Sequence, residues 1–235
     1  MSGLLLFISG ISFAQSKKIL VFSKTAGFHH QSIATGIPAL QQLGNKNNFK
    51  VDVTTDSTLF TADNLKQYAA VVFLSTTGDV LNEAQQDAFE QYIKQGGGFV
   101  GIHAATDTEY DWPWYGKLVG AYFSDHPAQQ NATLHIINQK SIATRHLPKV
   151  WTRKDEWYNF KDINPDVTVL IELDESTYKG GKNGQHHPVA WYHNYDGGRS
   201  FYTELGHVDE SYTDPLFLKH LLGGLQYAMG LRSME

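Results

Sequence analysis

The chain has 235 residues, room for one larger α/β unit or two small domains. Its 41% apolar and 18% charged residues, with only 7 prolines, exclude a disordered tail, a collagen-like polymer and a coiled coil. Lys plus Arg number 19 and Asp plus Glu 24, a net charge of −5 with no long basic run, so nucleic acid is not an expected partner. Cysteine is absent, which removes disulfides, Cys-ligated metals and thiol nucleophiles, so any chemistry must use other groups.

Leu4 to Phe13 is an apolar run closed by Ser12-Phe13-Ala14, a small-x-small pattern that reads as a signal peptide over residues 1–14. Export to a bacterial periplasm is therefore expected, with residues 15–235 as a single domain. The run is shorter than the ~20 residues of a membrane-spanning helix and no other stretch qualifies, so no membrane span is expected. From Lys18 onward, short β-rich runs alternate with helical stretches, the pattern of a mostly parallel sheet with helices on both faces. Ile19 to Phe22 is the first strand, Ser32 to Leu43 a helix, and Lys50 to Thr54 and Ala70 to Leu74 the next strands. Asn82 caps a helix with Gln85 three residues on; Ala84, Ala88, Phe89, Tyr92 and Ile93 share one face, and Gly96-Gly97-Gly98 stops it. Phe99 to His103 is the fourth strand. The second half predicts strands near Ala132 to Ile137, Trp151 to Trp157, Val167 to Leu173, Val189 to His193 and Ser200 to Glu204. Asp214-Pro215 then opens a terminal helix with Leu218, Leu221, Leu222 and Leu225 on one face.

In an open parallel sheet, ligands bind beyond the carboxyl ends of the strands, and four segments rich in reactive side chains fall there. They are Gly27-Phe28-His29-His30, Thr76-Thr77-Gly78-Asp79, His103-Ala104-Ala105-Thr106-Asp107 and Gly206-His207-Val208-Asp209. The small residues after His103 allow a sharp turn that projects its imidazole into a cleft. His207 has Asp209 two residues on as a candidate to orient the ring for acid or base work. In Asp155-Glu156-Trp157-Tyr158, period two puts Glu156 and Tyr158 on one side and Asp155 and Trp157 on the other, an arrangement of acids beside rings that suits a sugar. Tyr110-Asp111-Trp112-Pro113-Trp114-Tyr115 reads as an aromatic loop, a platform or lid for a sugar ring, with packing as the alternative. His187, in the pair His186-His187, and His126 complete the candidate binding residues. A metal such as Zn²⁺ is the other use for histidines: His103, His126 and His207 with Asp107 or Glu156 make a candidate set, although no H-E-x-x-H motif is present. No G-x-G-x-x-G follows the first strand and no Walker loop exists, so dinucleotide and ATP binding are rejected.

The combination of GFVGIHAATDTEYDWPWYGKLVGAYFSDHP, DEWYNF and HPVAWYHNYDGGRSFYTELGHVDESYTDPLFLKHLLGGLQYA resembles the trehalose-utilisation (ThuA-like) family, in order and over nearly the whole chain from KILVFSKTAGFHH. The resemblance implies a flavodoxin-like fold of the class I glutamine amidotransferase type, in which His103 of Gly101-Ile102-His103-Ala104-Ala105 stands where an amidotransferase has its cysteine. His207-Val208-Asp209 resembles the H-x-E of that superfamily. Without a thiol the fold carries over and amidotransferase activity does not. The resemblance further implies action on a glycoside or disaccharide such as trehalose, or its 3-keto derivative, in which the keto group acidifies the C2 proton and opens a route by proton abstraction. His103 and His207 are then the expected acid and base, assisted by Asp209 or Glu156. His29, His30, Asp79, Asp107, Trp112, His126, Trp157, Tyr158 and His187 are expected around a carbohydrate partner. A non-catalytic carbohydrate-binding protein, a metal-dependent hydrolase and assembly as a homo-oligomer stay open.

Overall fold

The computed structural model describes residues 16–235, so the leader expected over residues 1–14 lies outside the described residues. The elements run β1 (Lys18–Phe22), α1 (Ile33–Lys46), β2 (Lys50–Thr54), α2 (Ala62–Leu65), β3 (Ala70–Leu74), α3 (Glu83–Lys94), β4 (Gly98–Ile102), α4 (Pro113–Val119) and β5 (Tyr122–Asp125). They continue with β6 (Gln130–Ile136), β7 (Val150–Asp155), β8 (Asn159–Lys161), β9 (Thr168–Asp174), β10 (Pro188–Tyr195), β11 (Gly198–Thr203) and α5 (Pro215–Ala228). Every strand expected from the sequence is present to within a few residues. β5, β8 and α4 were not anticipated.

One nine-stranded sheet has the order β2-β1-β3-β4-β11-β10-β9-β6-β7. Its first five strands pair in parallel and give the 2-1-3-4-5 order of the flavodoxin-like fold; from β11 outward every pairing is antiparallel. The parallel strands β3 and β4 are buried along their whole length, as apolar runs covered on both faces must be. Leu40 and Leu43 of α1 pack with Phe217, Leu221 and Leu225 of α5 on one face. Leu65 of α2, Phe89 and Ile93 of α3, and Tyr115 and Leu118 of α4 cover the other. The capping box expected for α3 is formed: Asn82 Oδ1 accepts from the Gln85 N–H, and the Gln85 side chain accepts from the Asn82 N–H, both at 3.0 Å. β5 and β8 make a separate two-stranded sheet beside the carboxyl ends of the parallel strands. Among the described residues no helix is long and apolar enough to cross a membrane.

Two buried positions show how tightly this frame is made. A Cβ on Gly98, where β4 begins, would lie 2.0 Å from the Ala228 carbonyl oxygen at the end of α5 and 3.0 Å from that of Ala69. Both are backbone atoms that cannot rotate away. Gly98→Ala is expected to lose at least the ~1–3 kcal/mol typical of overpacking, read as a fall in the denaturant midpoint.

His220, fully buried on α5, donates from Nδ1 to the Ala143 carbonyl at 2.9 Å, while Nε2 has no partner among the described residues. Burial pushes its pKa down to about 3. The unfolded chain takes up this proton near pH 6.5 and the native chain only near 3, so stability falls as pH drops through that window. One full proton gives a slope of about 1.4 kcal/mol per pH unit. His220→Gln is expected to flatten the measured slope by about that amount; an unchanged slope would contradict it.

Candidate active site

β4 ends at Ile102, and His103 follows with φ +52°, a left-handed conformation that costs a non-glycine residue roughly 1–2 kcal/mol. The turn His103–Thr106 is held there by its neighbours. Tyr202 Oη donates to the His103 carbonyl at 2.8 Å and Tyr115 Oη to that of Ala105 at 2.7 Å. His103 Nδ1 donates to the Glu204 carbonyl at 2.8 Å, which fixes the tautomer and leaves Nε2 as a bare lone pair. Around Nε2 lie Tyr158 Oη at 3.0 Å, His207 Nδ1 at 3.0 Å and Glu156 Oε2 at 3.5 Å.

His207 comes from the loop after β11. Gly206 has φ +118°, and Asp155 at the end of β7 accepts from the backbone N–H groups of Gly206 (3.2 Å) and His207 (3.1 Å). The ring then donates from Nδ1 to Glu156 Oε2 at 3.0 Å, and the Gln129 amide donates to Nε2 at 2.7 Å. Glu156 and Tyr158 project to the same side of the segment between β7 and β8, as period two requires. Glu204, fully buried, accepts from the Tyr158 N–H, and burial pushes its carboxyl well above the usual range. His30, from the loop after β1, is buried and stands edge-on to His103 and His207, with ring centroids 4.7 and 5.3 Å away. Burial, aided by those two rings, pushes its pKa down to about 3. Burial also works against the Glu156 charge, but the His103 and His207 imidazoles that face it, with His207 donating to it, prevail and hold its carboxyl well below the usual range. One donor atom from each of His30, His103, His207 and Glu156 falls within 4.8 Å of all the others.

This cluster floors a cleft of about 370 Å³, inside the roughly 300–1,000 Å³ range of small-molecule sites. His126, whose Nδ1 lies 3.3 Å from Glu156 Oε1, and Asp107, raised by burial, stand on its walls. Phe28, 66% exposed, forms the lip. A second cavity of about 680 Å³ adjoins it, shares Phe28, Gln129 and His207, and is lined further by Arg153, Lys154 and Asp209.

Of the residues expected at the site, His30, Asp107, His126, Glu156, Tyr158 and His207 line the cleft, and His103 is sealed beneath it with no exposed surface. Other expectations are corrected. Asp209 accepts from Thr35 Oγ1 at 3.1 Å and does not orient His207; that anchoring falls to Asp155 and Glu156. The metal-type cluster takes His30 in place of His126. The aromatic stretch around Trp112 is no lid, because Pro113 starts α4 there and the Trp112 ring stacks on both Trp114 and Tyr115; Trp112 Nε1 donates to Glu90 at 3.2 Å. Trp157 points into the core and donates to the Gln130 carbonyl at 2.8 Å. His187 lies behind the site, donating to the Tyr158 carbonyl at 2.8 Å. His29 and Asp79 are exposed and outside the lining. Phe28, Phe123 and Gln129 were missed; only Phe28 carried a signal, as the ring in the first loop.

The profile of the family described as "Trehalose utilisation" (ThuA) matches residues 18–228. Among solved structures, a ThuA-like protein of Bacteroides uniformis is similar at 26% identity and TM-score 0.79, over 94% of this chain and 95% of that one. A ThuA-like protein of Parabacteroides merdae shares 21% identity at TM-score 0.77, over 94% and 92%. A β-galactosidase of Bacillus circulans shares the fold at 14% identity and TM-score 0.61, with 94% of this chain covering 32% of that one. No curated protein matches the sequence significantly.

Asp155→Ala strips three backbone donors, those of Glu156, Gly206 and His207, of their acceptor and leaves the largely covered Arg153, whose Nη2 lies 3.4 Å from Asp155, without that partner. The expected loss is about 3–5 kcal/mol in denaturant unfolding, against less than ~1 kcal/mol for Asp209→Ala.

Proposed function

The chain belongs to the trehalose-utilisation (ThuA) family, and on that premise we propose that it is a sugar-metabolising enzyme that cleaves a glycoside or disaccharide such as trehalose, or its 3-keto derivative. The observation that carries this reading is the charged Glu156, held against His207 on the floor of a polar cleft with an aromatic lip. His103 is too deeply buried to meet a substrate, so Glu156 and His207 are the base and acid, and His103 positions them.

On a 3-keto sugar, Glu156 takes the C2 proton and the electron pair is delocalised onto the C3 oxygen. Its return expels the C1 substituent, whose oxygen takes a proton from His207. The products are an unsaturated keto sugar, which then adds water, and the free leaving group. The 370 Å³ cleft takes the reacting ring, Phe28 gives it an apolar face, and the adjoining 680 Å³ cavity takes the leaving sugar. Tyr158 Oη and Asp107 supply hydrogen bonds to hydroxyl groups. The leader expected over residues 1–14 would put this activity outside the cytoplasm.

Incubation with trehalose and with 3-keto-trehalose, followed by NMR, is expected to show turnover. Glu156→Gln and His207→Ala should each reduce it about 10²–10⁴-fold while substrate still binds. Saturable binding of both sugars with no product would replace the enzyme with a carbohydrate-binding protein.

A further inference from the structure

We propose that His30, His103, His207 and Glu156 form a binding site for one divalent transition-metal ion, with its open side toward the cleft. Three of the donors already make a compact triangle: His103 Nε2 to His207 Nδ1 is 3.0 Å, His207 Nδ1 to Glu156 Oε2 is 3.0 Å, and His103 Nε2 to Glu156 Oε2 is 3.5 Å. A zinc-like ion with ligand bonds of about 2.0–2.2 Å sets neighbouring tetrahedral donors roughly 3.3 Å apart, which is the size of this triangle. His30 completes the set within 4.8 Å.

Three further observations point the same way. First, the charge of the cluster is not balanced by a fixed cation: among the described residues, the ion-pair partners of Glu156 are the histidines 103, 126 and 207, with no Lys or Arg. A buried carboxylate faced only by imidazoles is a place where a cation lowers the energy. Second, His30 is 3% exposed and stands against His103 and His207, yet its Nε2 has only a long 3.4 Å contact with Tyr158 Oη and its Nδ1 finds no hydrogen-bond partner among the described residues. An orphaned polar atom this deep is unusual unless something else satisfies it. Third, the outer contacts are those that prepare imidazoles for a metal. His103 Nδ1 donates to the Glu204 carbonyl, which aims the Nε2 lone pair inward. Gln129 reaches His207 Nε2, and a half-turn of its amide presents an oxygen that accepts from Nε2–H and frees Nδ1 to ligate.

Three imidazoles and one carboxylate, without sulfur, suit Zn²⁺, Fe²⁺, Ni²⁺ or Co²⁺ rather than Ca²⁺ or Mg²⁺. The donors come from the loops after β1, β4, β7 and β11, so the ion also ties four strand ends together. With the ion on Glu156 Oε2 and His207 Nδ1, Glu156 Oε1 and the Nε2–H of His207 are left for the base and acid roles, while the ion polarises a carbonyl or hydroxyl oxygen of a bound sugar; this last step rests on the sugar reading above.

The test uses full-length protein purified without an affinity tag, stripped with chelator and titrated with Co²⁺ by visible absorption, then with Zn²⁺ by calorimetry. One ion per chain is expected. His103→Ala and His207→Ala should weaken binding at least 100-fold, and His126→Ala, beside Glu156 but outside the set, should stay within a few-fold of wild type. Should His103→Ala fail to fold, Glu156→Gln keeps the shape of the site and should still lose at least tenfold. No saturable uptake by the wild type, or equal affinity in the ligand variants, overturns the metal site. Because binding is read without turnover, a metal-loaded protein that leaves the sugars intact counts against the enzyme reading alone, and chelator-insensitive turnover by a protein that takes up no ion counts against the metal alone.

Discussion

The site depends on one hydrogen bond, from His103 Nδ1 to the carbonyl of Glu204 at 2.8 Å. It links the ends of β4 and β11, which are neighbours in the sheet but 101 positions apart in sequence. Because a carbonyl can only accept, this contact decides which ring nitrogen of His103 carries the proton and therefore what His207, Tyr158 and Glu156 meet. The side chain of the same Glu204 accepts from the Tyr158 N–H, so one residue registers three loops at once. That arrangement is available only because β4 and β11 are parallel and end at the same level.

Three carboxyl groups, Asp155, Glu156 and Glu204, crowd this region, and their different surroundings separate their roles. Burial pushes the Glu204 carboxyl well above the usual range. Asp155 is spent on backbone N–H groups and on Arg153. Glu156 keeps its charge and faces the cleft. Proximity in sequence would have grouped Asp155 with Glu156; hydrogen bonding divides them.

The parallel half of the fold was legible because its strands are continuous apolar runs and its helices carry local start and stop signals, such as Asn82 with Gln85 and then three glycines. In the other half the strands were found but not their pairing, although Asp196-Gly197, with φ +47° and +93°, is the tight-turn dipeptide that makes β10 and β11 an antiparallel hairpin. At the site, position after a strand found His30, His103 and His207, and alternation found Glu156 with Tyr158. Residue type misled at Trp112, Trp157 and His187, since an indole or imidazole in the sequence looks the same whether it faces a cleft or a core. Asp209 misled for a related reason: two residues of separation says nothing of direction once the chain turns at Asp209–Thr213.

The left-handed φ of His103 also separates two things that usually change together. The strain belongs to the backbone, and it is met by contacts from Tyr202 and Tyr115 to main-chain carbonyls rather than to the imidazole. Any ordinary L-residue at this position carries a similar penalty, so the identity of the side chain is nearly independent of the energy of the turn. The elbow is thus a socket: the frame holds the turn, and the side chain it presents can change without any change of fold.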